Sequence, residues 1–376
     1  MTICVLGRAN YKLLKRRFEY IATLGHQVHI ISLQDGKIEG CTVHYIQPIT
    51  KTKADYILLA SKVFRKIKEI NPDIVDMHGV SSYGLFALAI NNYPKIVTVY
   101  GPDLYMHVNR FPLIKNLLRG VIKKADAVYG STEAIHQYLK DYLDLSIGDK
   151  LKIKSWGIPY KSIVQNAVSR RKEIRVKCNV SDDTKVIIHS RRLLKFWRVP
   201  MIIDALAEVV KVDKKVELWL VYPPLDPSEK VFKVELEAQI ERLDIKNHVK
   251  FLGGFDYESF ITVNHGADIF MCIGENDLLA STLLEGMCTN LVPVLVELPA
   301  YHEVIYDTKN GFLVADLSAK NIAKTTLTVL EDYKTIHQGV AMYNQALLST
   351  EYDEEKCSEW LLDLYQEISI RFKKGK

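Results

Sequence analysis

The sequence lacks any long apolar run and any paired cysteine motif. No apolar stretch reaches the ~18 residues that a membrane-spanning helix needs, and the first residues predict a short apolar strand and a basic helix rather than a signal peptide. The six cysteines are scattered without a C-x-x-C, and Cys41 and His44 have no second pair nearby to complete a zinc site. We therefore expect reduced thiols in a cytoplasmic protein with no membrane anchor and no metal site.

The composition is that of an ordinary globular protein. Hydrophobic residues make up 48% and charged residues 25% of 376 residues, which excludes a disordered or fibrous chain and leaves room for two domains. The net charge of +5 is unevenly spread, with +9 in residues 1–160 and −4 in the remainder. This asymmetry predicts an anionic partner for the first half, either a membrane surface or a phosphate-bearing substrate. Nucleic acid is disfavoured because no recognised binding module accompanies the charge.

Short apolar runs alternate with helical patterns along both halves, which predicts an α/β protein built from two doubly wound parallel sheets. The strands predicted in the first half are Ile3–Leu6, Gln27–Ser32, Ile74–Met77, Lys95–Tyr100 and Ala127–Gly130. Those predicted in the second half are Lys185–His189, Glu217–Val221, Val249–Leu252, Ile269–Cys272, Val292–Val296 and Phe312–Val314. The alternation of apolar runs and helical patterns weakens over Leu151–Pro159, where Gly and Pro occur. We therefore predict Rossmann-like domains at 1–160 and 161–352 with a cleft between them, followed by an amphipathic helix within 353–376.

The stretch Gly274–Val314 concentrates polar residues at a strand end. A strand ends near Cys272, a polar loop follows, and a helix is predicted to begin at about Ser281. On that helix Glu285 is predicted to point out of the core, close to the positive helix end. Ligands bind at such places in open parallel sheets, and the free N–H groups of a first helical turn suit phosphate. The alternative is that Glu285 is a solvated helix residue and Asp277 an ordinary loop acid.

This stretch also resembles a known family. Asp277 is followed, after seven intervening residues, by Glu285 within the sequence LLEGM. That pattern is similar to the nucleotide-sugar signature of the retaining glycosyltransferases of family 4, which have the GT-B fold. Further segments in family order include Gly25–His26, Pro72–Val75 with His78, Tyr100–Asp103, His189–Leu193, Glu303 and Asn310–Val314. The resemblance implies two Rossmann-like domains facing a central cleft, with the last helix crossing back onto the first domain.

The resemblance implies roles for individual residues at the donor. Arg192, with Lys195 or Arg198, would neutralise the departing diphosphate. Glu285 would accept hydrogen bonds from the ribose hydroxyls, and Asp277 would hold hydroxyls of the transferred sugar. The backbone N–H groups that would hold the distal phosphate belong to Ala280, Ser281 and Thr282.

The remaining implied contacts concern the base and the acceptor. The loop with Gly254 and Phe255 would lie against the nucleobase. His78 and the turn at residues 101–103 would lie beside the reacting sugar and acceptor, and Gly7 would allow close backbone approach.

The sequence departs from the family pattern at several positions. Asp277 replaces the commoner Glu, and Leu278–Ser281 replaces a glycine-rich segment. Tyr100 stands where many members have a His, so no general base is assigned. Of the adjacent Arg191 and Arg192, one is expected to be an ordinary surface cation.

We therefore expect a metal-independent retaining glycosyltransferase that takes a UDP- or GDP-sugar and a glycan or lipid-linked acceptor, as in the synthesis of a surface polysaccharide or glycolipid. The alternatives are a GT-B nucleotide-sugar epimerase and a non-catalytic nucleotide-sugar binder. Two basic segments are candidates for peripheral contact with an anionic membrane, or else are solvated helix faces. They are residues 107–124 and the group Lys12, Lys15, Arg16 and Arg17.

Overall fold

The chain forms two parallel β-sheets in a computed structural model that describes residues 1–101, 104 and 112–375. Its residues divide into two units, Met1–Gly157 with Glu354–Lys376, and Ile158–Asp353. The boundary lies at Gly157, against the predicted residue 160. The prediction of an α/β protein with doubly wound parallel sheets is confirmed.

The first unit contains a seven-stranded sheet in the order β3-β2-β1-β4-β5-β6-β7. Its strands are β1 (Thr2–Leu6), β2 (Gln27–Ser32), β3 (Thr42–Tyr45), β4 (Ile74–His78), β5 (Lys95–Thr98), β6 (Ala127–Gly130) and β7 (Leu151–Ile153). Its first helices are α1 (Lys12–Thr23), α2 (Asp55–Leu58), α3 (Ala60–Ile70), α4 (Pro112–Lys124) and α5 (Ala134–Leu143). Every residue of β4, β5 and β6 is buried, as expected of central strands with both faces covered.

The second unit contains a six-stranded sheet in the order β10-β9-β8-β11-β12-β13. Its strands are β8 (Lys185–Ser190), β9 (Val216–Tyr222), β10 (Val249–Gly253), β11 (Ile269–Cys272), β12 (Val292–Val296) and β13 (Phe312–Val314). Its helices are α6 (Tyr160–Val164), α7 (Ala167–Lys177), α8 (Val199–Val212), α9 (Pro227–Arg242), α10 (Tyr257–His265), α11 (Ser281–Cys288), α12 (Ala319–Glu331) and α13 (Tyr333–Glu351). The sequence order reverses direction between β8 and β11, which is the switch point where such sheets bind ligands.

The closing helix α14 (Glu354–Lys374) belongs to the first unit. Its buried face carries Leu361, Leu364, Tyr365 and Ile368, which pack in one cluster with residues of β1 and α1. The predicted return of the last helix to the first domain is therefore confirmed.

The strands β3 and β7 were not predicted, and neither were the helices α6 and α7. The edge strand β3 is short and half exposed, so its sequence lacks an apolar run. Residues 151–153 form the last strand of the first sheet, although the weakened pattern there suggested a domain junction. The charged stretch after the junction forms α7, where Arg171 and Arg175 bond the buried carboxylate of Asp268.

The two basic segments considered for membrane contact are partly buried. Arg17 is buried and donates to Tyr129 Oη at 3.0 Å, so it is not a surface cation. Arg16 pairs with Glu354. On α4, Leu118 and Val121 are buried and pack inside the unit, whereas Leu117 is exposed. Residues 107–111 of the second segment lie outside the described part of the chain. No helix among the described residues has the length and apolarity to cross a bilayer.

Candidate functional site

The carboxyl edge of the second sheet brings together the residues after β8 and β11. Arg191 directly follows β8, and Asp277 lies in the loop between β11 and α11. Parallel strands end at the same edge, and these two strands are neighbours at the switch point. The predicted donor site therefore has its central acid where an open α/β sheet binds ligands.

Arg191 and Asp277 form an ion pair that is almost fully buried, with side-chain exposures of 11% and 12%. Tyr301 Oη donates to Asp277 Oδ2 at 2.9 Å, and the indole of Trp197 stacks on the guanidinium 4.4 Å from the ring centre. Burial raises the pKa of Asp277, while Arg191 and the hydrogen bonds favour its ionised form. Burial is the largest influence on Arg191 and opposes its charge, but Asp277, Cys272 and Tyr301 together outweigh burial and raise the pKa of the guanidinium. The site thus holds a fixed cation beside a carboxylate in a water-poor place.

Glu285 is buried, with 1% of its surface exposed. The expectation that it points out of the core is wrong, as is the alternative that it is a solvated helix residue. The helix is only eight residues long and packs on α6, α13 and β12, and every residue of Leu283–Cys288 is buried, so Glu285 is covered as well. Tyr257 Oη donates to Glu285 Oε1 at 2.8 Å. Tyr257 opens α10 just after β10, so this contact joins two strand ends of the sheet.

The start of α11 carries unused polar groups. Its N-cap is Ala280, which has no side-chain acceptor for the first-turn N–H groups, and Ser281 and Thr282 follow. Within the described parts of the chain, Ser190 Oγ, Thr282 Oγ1 and Arg191 Nε are buried without a hydrogen-bond partner. Such orphaned atoms are uncommon in folded proteins and suit a place that a polar ligand completes.

The cations predicted to neutralise the diphosphate make no bond to the Arg191–Asp277 pair in the described part of the chain. Arg192 is 51% exposed on its side chain and bonds Glu229 and Asp226, which cap the start of α9. Lys195 pairs with Glu235 at 3.2 Å on the surface. Arg198 caps α8 in a left-handed conformation with φ 51°, and no described residue bonds its guanidinium. Arg191, which sequence reasoning left unassigned, is therefore the cation closest to Asp277.

Glycines shape two loops of this edge. Gly254 has φ +82° after β10 and donates its N–H to Tyr222 O, so it turns the chain where few side chains could. Phe255 follows as a half-buried side chain. A Cβ on Gly274 would lie 2.4 Å from a ring atom of Trp197, so only glycine permits the indole to reach Arg191.

In the first unit, His78 ends β4 within a buried cluster of polar side chains. His78 Nε2 faces Asp76 Oδ2 at 3.2 Å, and Nδ1 lies 2.7 Å from Tyr100 Oη. Asp76 also accepts from Tyr365 Oη at 2.5 Å and Thr98 Oγ1 at 3.0 Å. Burial acts to raise the pKa of Asp76, but His78 and these hydrogen bonds lower it below its usual value. An ionised carboxylate only accepts, so Asp76 favours a proton on the Nε2 edge of His78, which leaves the Nδ1 edge towards Tyr100 Oη.

Tyr100 packs against an aromatic ring, which in turn packs against a cation. The Trp156 ring stacks on Tyr100 with centroids 5.5 Å apart, and Arg17 lies over Trp156 at 4.0 Å. Gly7 follows β1, and a Cβ there would lie 2.5 Å from Leu14 and 3.4 Å from His78. Pro102 and Asp103 of the predicted turn lie outside the described residues.

A cavity of about 860 Å³ opens beside His78 at the carboxyl edge of the first sheet. His78, Gly79 and Tyr100 line one part of it, and the loops after β1 and β2, the segment at the start of α2 and residues 81–83 line other parts. This volume is in the range of small-molecule sites.

Sequence reasoning missed Arg191, Trp197, Tyr257 and Tyr301 on the second unit. Arg191 was visible only as one of two adjacent arginines, and nothing local distinguishes the buried one from the exposed one. The three aromatic residues come from separate loops, and their shared location depends on strand order. No group of three or more His, Cys, Asp or Glu that could hold a metal occurs among the described residues.

The chain resembles glycosyltransferases along most of its length. The family model for "Glycosyl transferase 4-like" matches residues 2–133, and the model for "Glycosyl transferases group 1" matches residues 170–342. N-acetyl-alpha-D-glucosaminyl L-malate synthase of Bacillus anthracis is 23% identical over 332 residues, 85% of this chain and 81% of that protein.

Solved structures share the whole fold. HepE of Anabaena in complex with UDP superposes with a TM-score of 0.80 at 19% identity, over 98% of this chain and 100% of that chain. WaaG, a glycosyltransferase involved in lipopolysaccharide biosynthesis, superposes with a TM-score of 0.70 at 16% identity, over 96% and 99% of the two chains. With the two family models on its two halves and the two parallel sheets that carry them, this chain belongs to the group 1 glycosyltransferases and has the GT-B fold.

Proposed function

We propose that this glycosyltransferase moves a sugar from a nucleotide diphosphate sugar to a glycan or lipid-linked acceptor, with retention of anomeric configuration. The observation that carries the proposal is the buried Arg191–Asp277 pair beside the start of α11, at the switch point of the second sheet. HepE was solved with UDP and with UDP-glucose, which supports a uridine donor.

In this proposal the second unit holds the donor. Glu285 accepts hydrogen bonds from the ribose hydroxyls, which compete with the bond from Tyr257. Asp277 holds hydroxyls of the transferred sugar. The loop with Gly254 and Phe255 lies against the base.

Fixed positive groups stabilise the departing diphosphate. Phosphate oxygens would accept from the N–H groups of Ala280, Ser281 and Thr282 at the positive end of α11. The described cations at this edge are Arg191, Arg192, Lys195 and Arg198. Arg192 and Lys195 would have to leave their present carboxylate partners, whereas Arg198 has a guanidinium that no described residue bonds. Fixed donors of this kind stabilise a leaving anion without reorganising in the reaction.

The first unit holds the acceptor beside His78. We propose that the chain Tyr365–Asp76–His78 fixes the ring so that its Nδ1 edge, with Tyr100, faces the reacting groups. The protein would act in the cytoplasm, where thiols stay reduced, and its six cysteines are free.

Product analysis with intact donors tests the proposal. UDP-glucose, UDP-N-acetylglucosamine and GDP-mannose are incubated with free and lipid-linked glycans, and nucleoside diphosphate and product are measured by mass spectrometry and NMR. We expect acceptor-dependent release of one nucleoside diphosphate and a product with the donor's anomeric configuration. Interconversion of the donor without acceptor would indicate an epimerase, and tight donor binding without turnover a non-catalytic binder.

Peripheral membrane contact is a separate part of the proposal. The excess of cations in residues 1–160 supports attraction to an anionic surface. Co-sedimentation with phosphatidylglycerol vesicles, and none with phosphatidylcholine vesicles, is the expected result. Equal recovery of the protein with both vesicle types would contradict attraction to an anionic membrane.

A further inference from the structure

The cavity beside His78 is lined on one side by three cations. Arg8, Lys51 and Lys53 all line it and are all exposed. Throughout residues 1–101, 104 and 112–375, no carboxylate pairs with Arg8 or Lys51. Lys53 Nζ lies 3.4 Å from Ser81 Oγ, another lining residue. Arg8 and Lys51 therefore bring positive charge to the cavity without an ion-pair partner among the described residues.

Asp55 is the single carboxylate among the described lining residues, and it accepts hydrogen bonds from backbone N–H groups. Asp55 is buried, and its Oδ1 accepts the N–H groups of Ile49 at 3.1 Å and Thr50 at 2.9 Å. Burial opposes its charge, but these bonds lower the pKa of Asp55, so it stays ionised near neutral pH. Asp55 thereby fixes the loop that presents Lys51, whose backbone is left-handed with φ 57°.

Arg8 faces the hydroxyl-rich wall of the cavity. Burial raises the pKa of the Tyr56 and Tyr83 hydroxyls, and the positive charge of Arg8 acts against this effect at both. Tyr83 Oη donates to Gln34 Oε1 at 2.8 Å and accepts from Leu33 N–H, and these two bonds orient the hydroxyl. Gln34, Tyr56 and Tyr83 present amide and hydroxyl groups that suit a hydroxylated ligand.

We infer that this cavity binds the acceptor through an anionic group, a carboxylate or a phosphate, held by Arg8, Lys51 and Lys53, with a hydroxyl of the acceptor towards His78 and Tyr100. Naming the ligand an acceptor rests on the proposed function; the anion site itself rests on the cavity. Arginine and lysine at a partly enclosed cavity bind carboxylate and phosphate through charge-assisted hydrogen bonds. The volume of about 860 Å³ leaves room for a sugar ring or a hydroxy acid beside the anionic group.

The test uses the full chain and three probes that differ in one group: glucose, glucuronate and glucose 6-phosphate. Dissociation constants are measured by ligand-observed NMR for the wild type, Arg8→Gln, Arg8→Lys and Lys62→Gln. Lys62 is exposed on α3 and does not line the cavity, so Lys62→Gln removes the same charge elsewhere on the first unit. UDP is titrated into each sample separately.

We expect at least one anionic probe to bind about tenfold tighter than glucose, and Arg8→Gln to remove most of that preference. Arg8→Lys should keep part of it, and Lys62→Gln should keep all of it. If Arg8→Gln weakens the binding of glucose 6-phosphate alone, the anionic group of the ligand is assigned as a phosphate. If it weakens the binding of glucuronate alone, the group is assigned as a carboxylate.

Three results would overturn the inference. They are equal binding of glucose and both anions, an anion preference that Arg8→Gln leaves intact, and an equal loss in Lys62→Gln. A protein that binds UDP but shows no Arg8-dependent anion preference refutes this inference alone. A protein with that preference but without nucleotide binding keeps the anion site and refutes the proposed function.

Discussion

The ion pair of Arg191 and Asp277 places two charges where little water reaches. Its partners Tyr301 and Trp197 restrain both side chains. Removing one member of a buried pair is costly because the other charge stays behind without compensation.

Arg191→Met is expected to lower the free energy of unfolding by about 3–5 kcal/mol, because buried Asp277 then lacks its cation. Adding Asp277→Asn to this variant should recover part of the loss. Urea denaturation of both variants checks this. An Arg191→Met protein as stable as the wild type would mean that the pair is solvated.

The lowered pKa of Asp76 predicts how the free energy of unfolding depends on pH. Its folded-state pKa is lowered, so the stability that it contributes is present at pH above about 4, the ordinary value for an aspartate, and is lost as the pH falls through the lower folded-state pKa. The difference in unfolding free energy between wild type and Asp76→Asn should therefore shrink on acidification. Urea denaturation across a pH series measures it, and a difference that stays constant below pH 4 would contradict the assignment.

At the scale of elements, the site is made by strand ends and the loops after them. The loop from β11 to α11 packs on the loop after β8, where Glu275 N–H donates to Phe196 O at 3.1 Å. Gly274 lies at this contact, because Trp197 occupies the space of its missing side chain.

Gly274→Ala is expected to displace Trp197 and to lower the free energy of unfolding by about 1–3 kcal/mol, as overpacking does. Gly339→Ala is the matched control, since α13 leaves open space around Gly339 and alanine there should stabilise the helix by up to about 1 kcal/mol. Thermal unfolding and UDP titration of both variants test this. Unchanged stability and UDP binding in Gly274→Ala would show that the indole is not held there.

Periodicity predicted the central strands well because each is a buried apolar run. It did not predict β3, whose residues are half exposed, or β7, whose three residues are too few to show a pattern. Asp277 and Glu285 were proposed as site residues from the resemblance to the family signature rather than from periodicity. The sequence could not show which of Arg191 and Arg192 is buried. Arg191 is buried because it pairs with Asp277, and Arg192 is exposed because it pairs with Glu229 at the start of α9. Both partners are distant in sequence.

At the scale of the molecule, the chain leaves its first unit at Gly157 and returns to it at Glu354. The returning helix α14 completes the core cluster and supplies Tyr365 to Asp76. The first unit therefore depends on the last residues of the chain for both stability and the orientation of His78.

Ending the chain after Asp353 should unfold the first unit selectively, because the buried positions of β1 and α1 lose their cover. Hydrogen exchange followed by mass spectrometry should show lost protection in residues 1–157 and retained protection in Ile158–Asp353. A chain ending after Phe372 keeps the buried face of α14 and serves as the control. Full protection of the first unit in the shorter chain would contradict this dependence.

In the proposed function, the carboxyl edge of the second sheet binds a nucleotide diphosphate sugar. Thermal unfolding of the wild type, Glu285→Gln and Glu331→Gln with UDP, GDP, ADP and their sugars tests it most directly. Glu331 is an exposed residue at the end of α12, so its variant controls for the loss of one carboxylate. A base-specific rise in melting temperature that Glu285→Gln loses and Glu331→Gln keeps is the predicted result. No rise with any nucleotide at millimolar concentration, or an equal rise in all three proteins, would contradict the account.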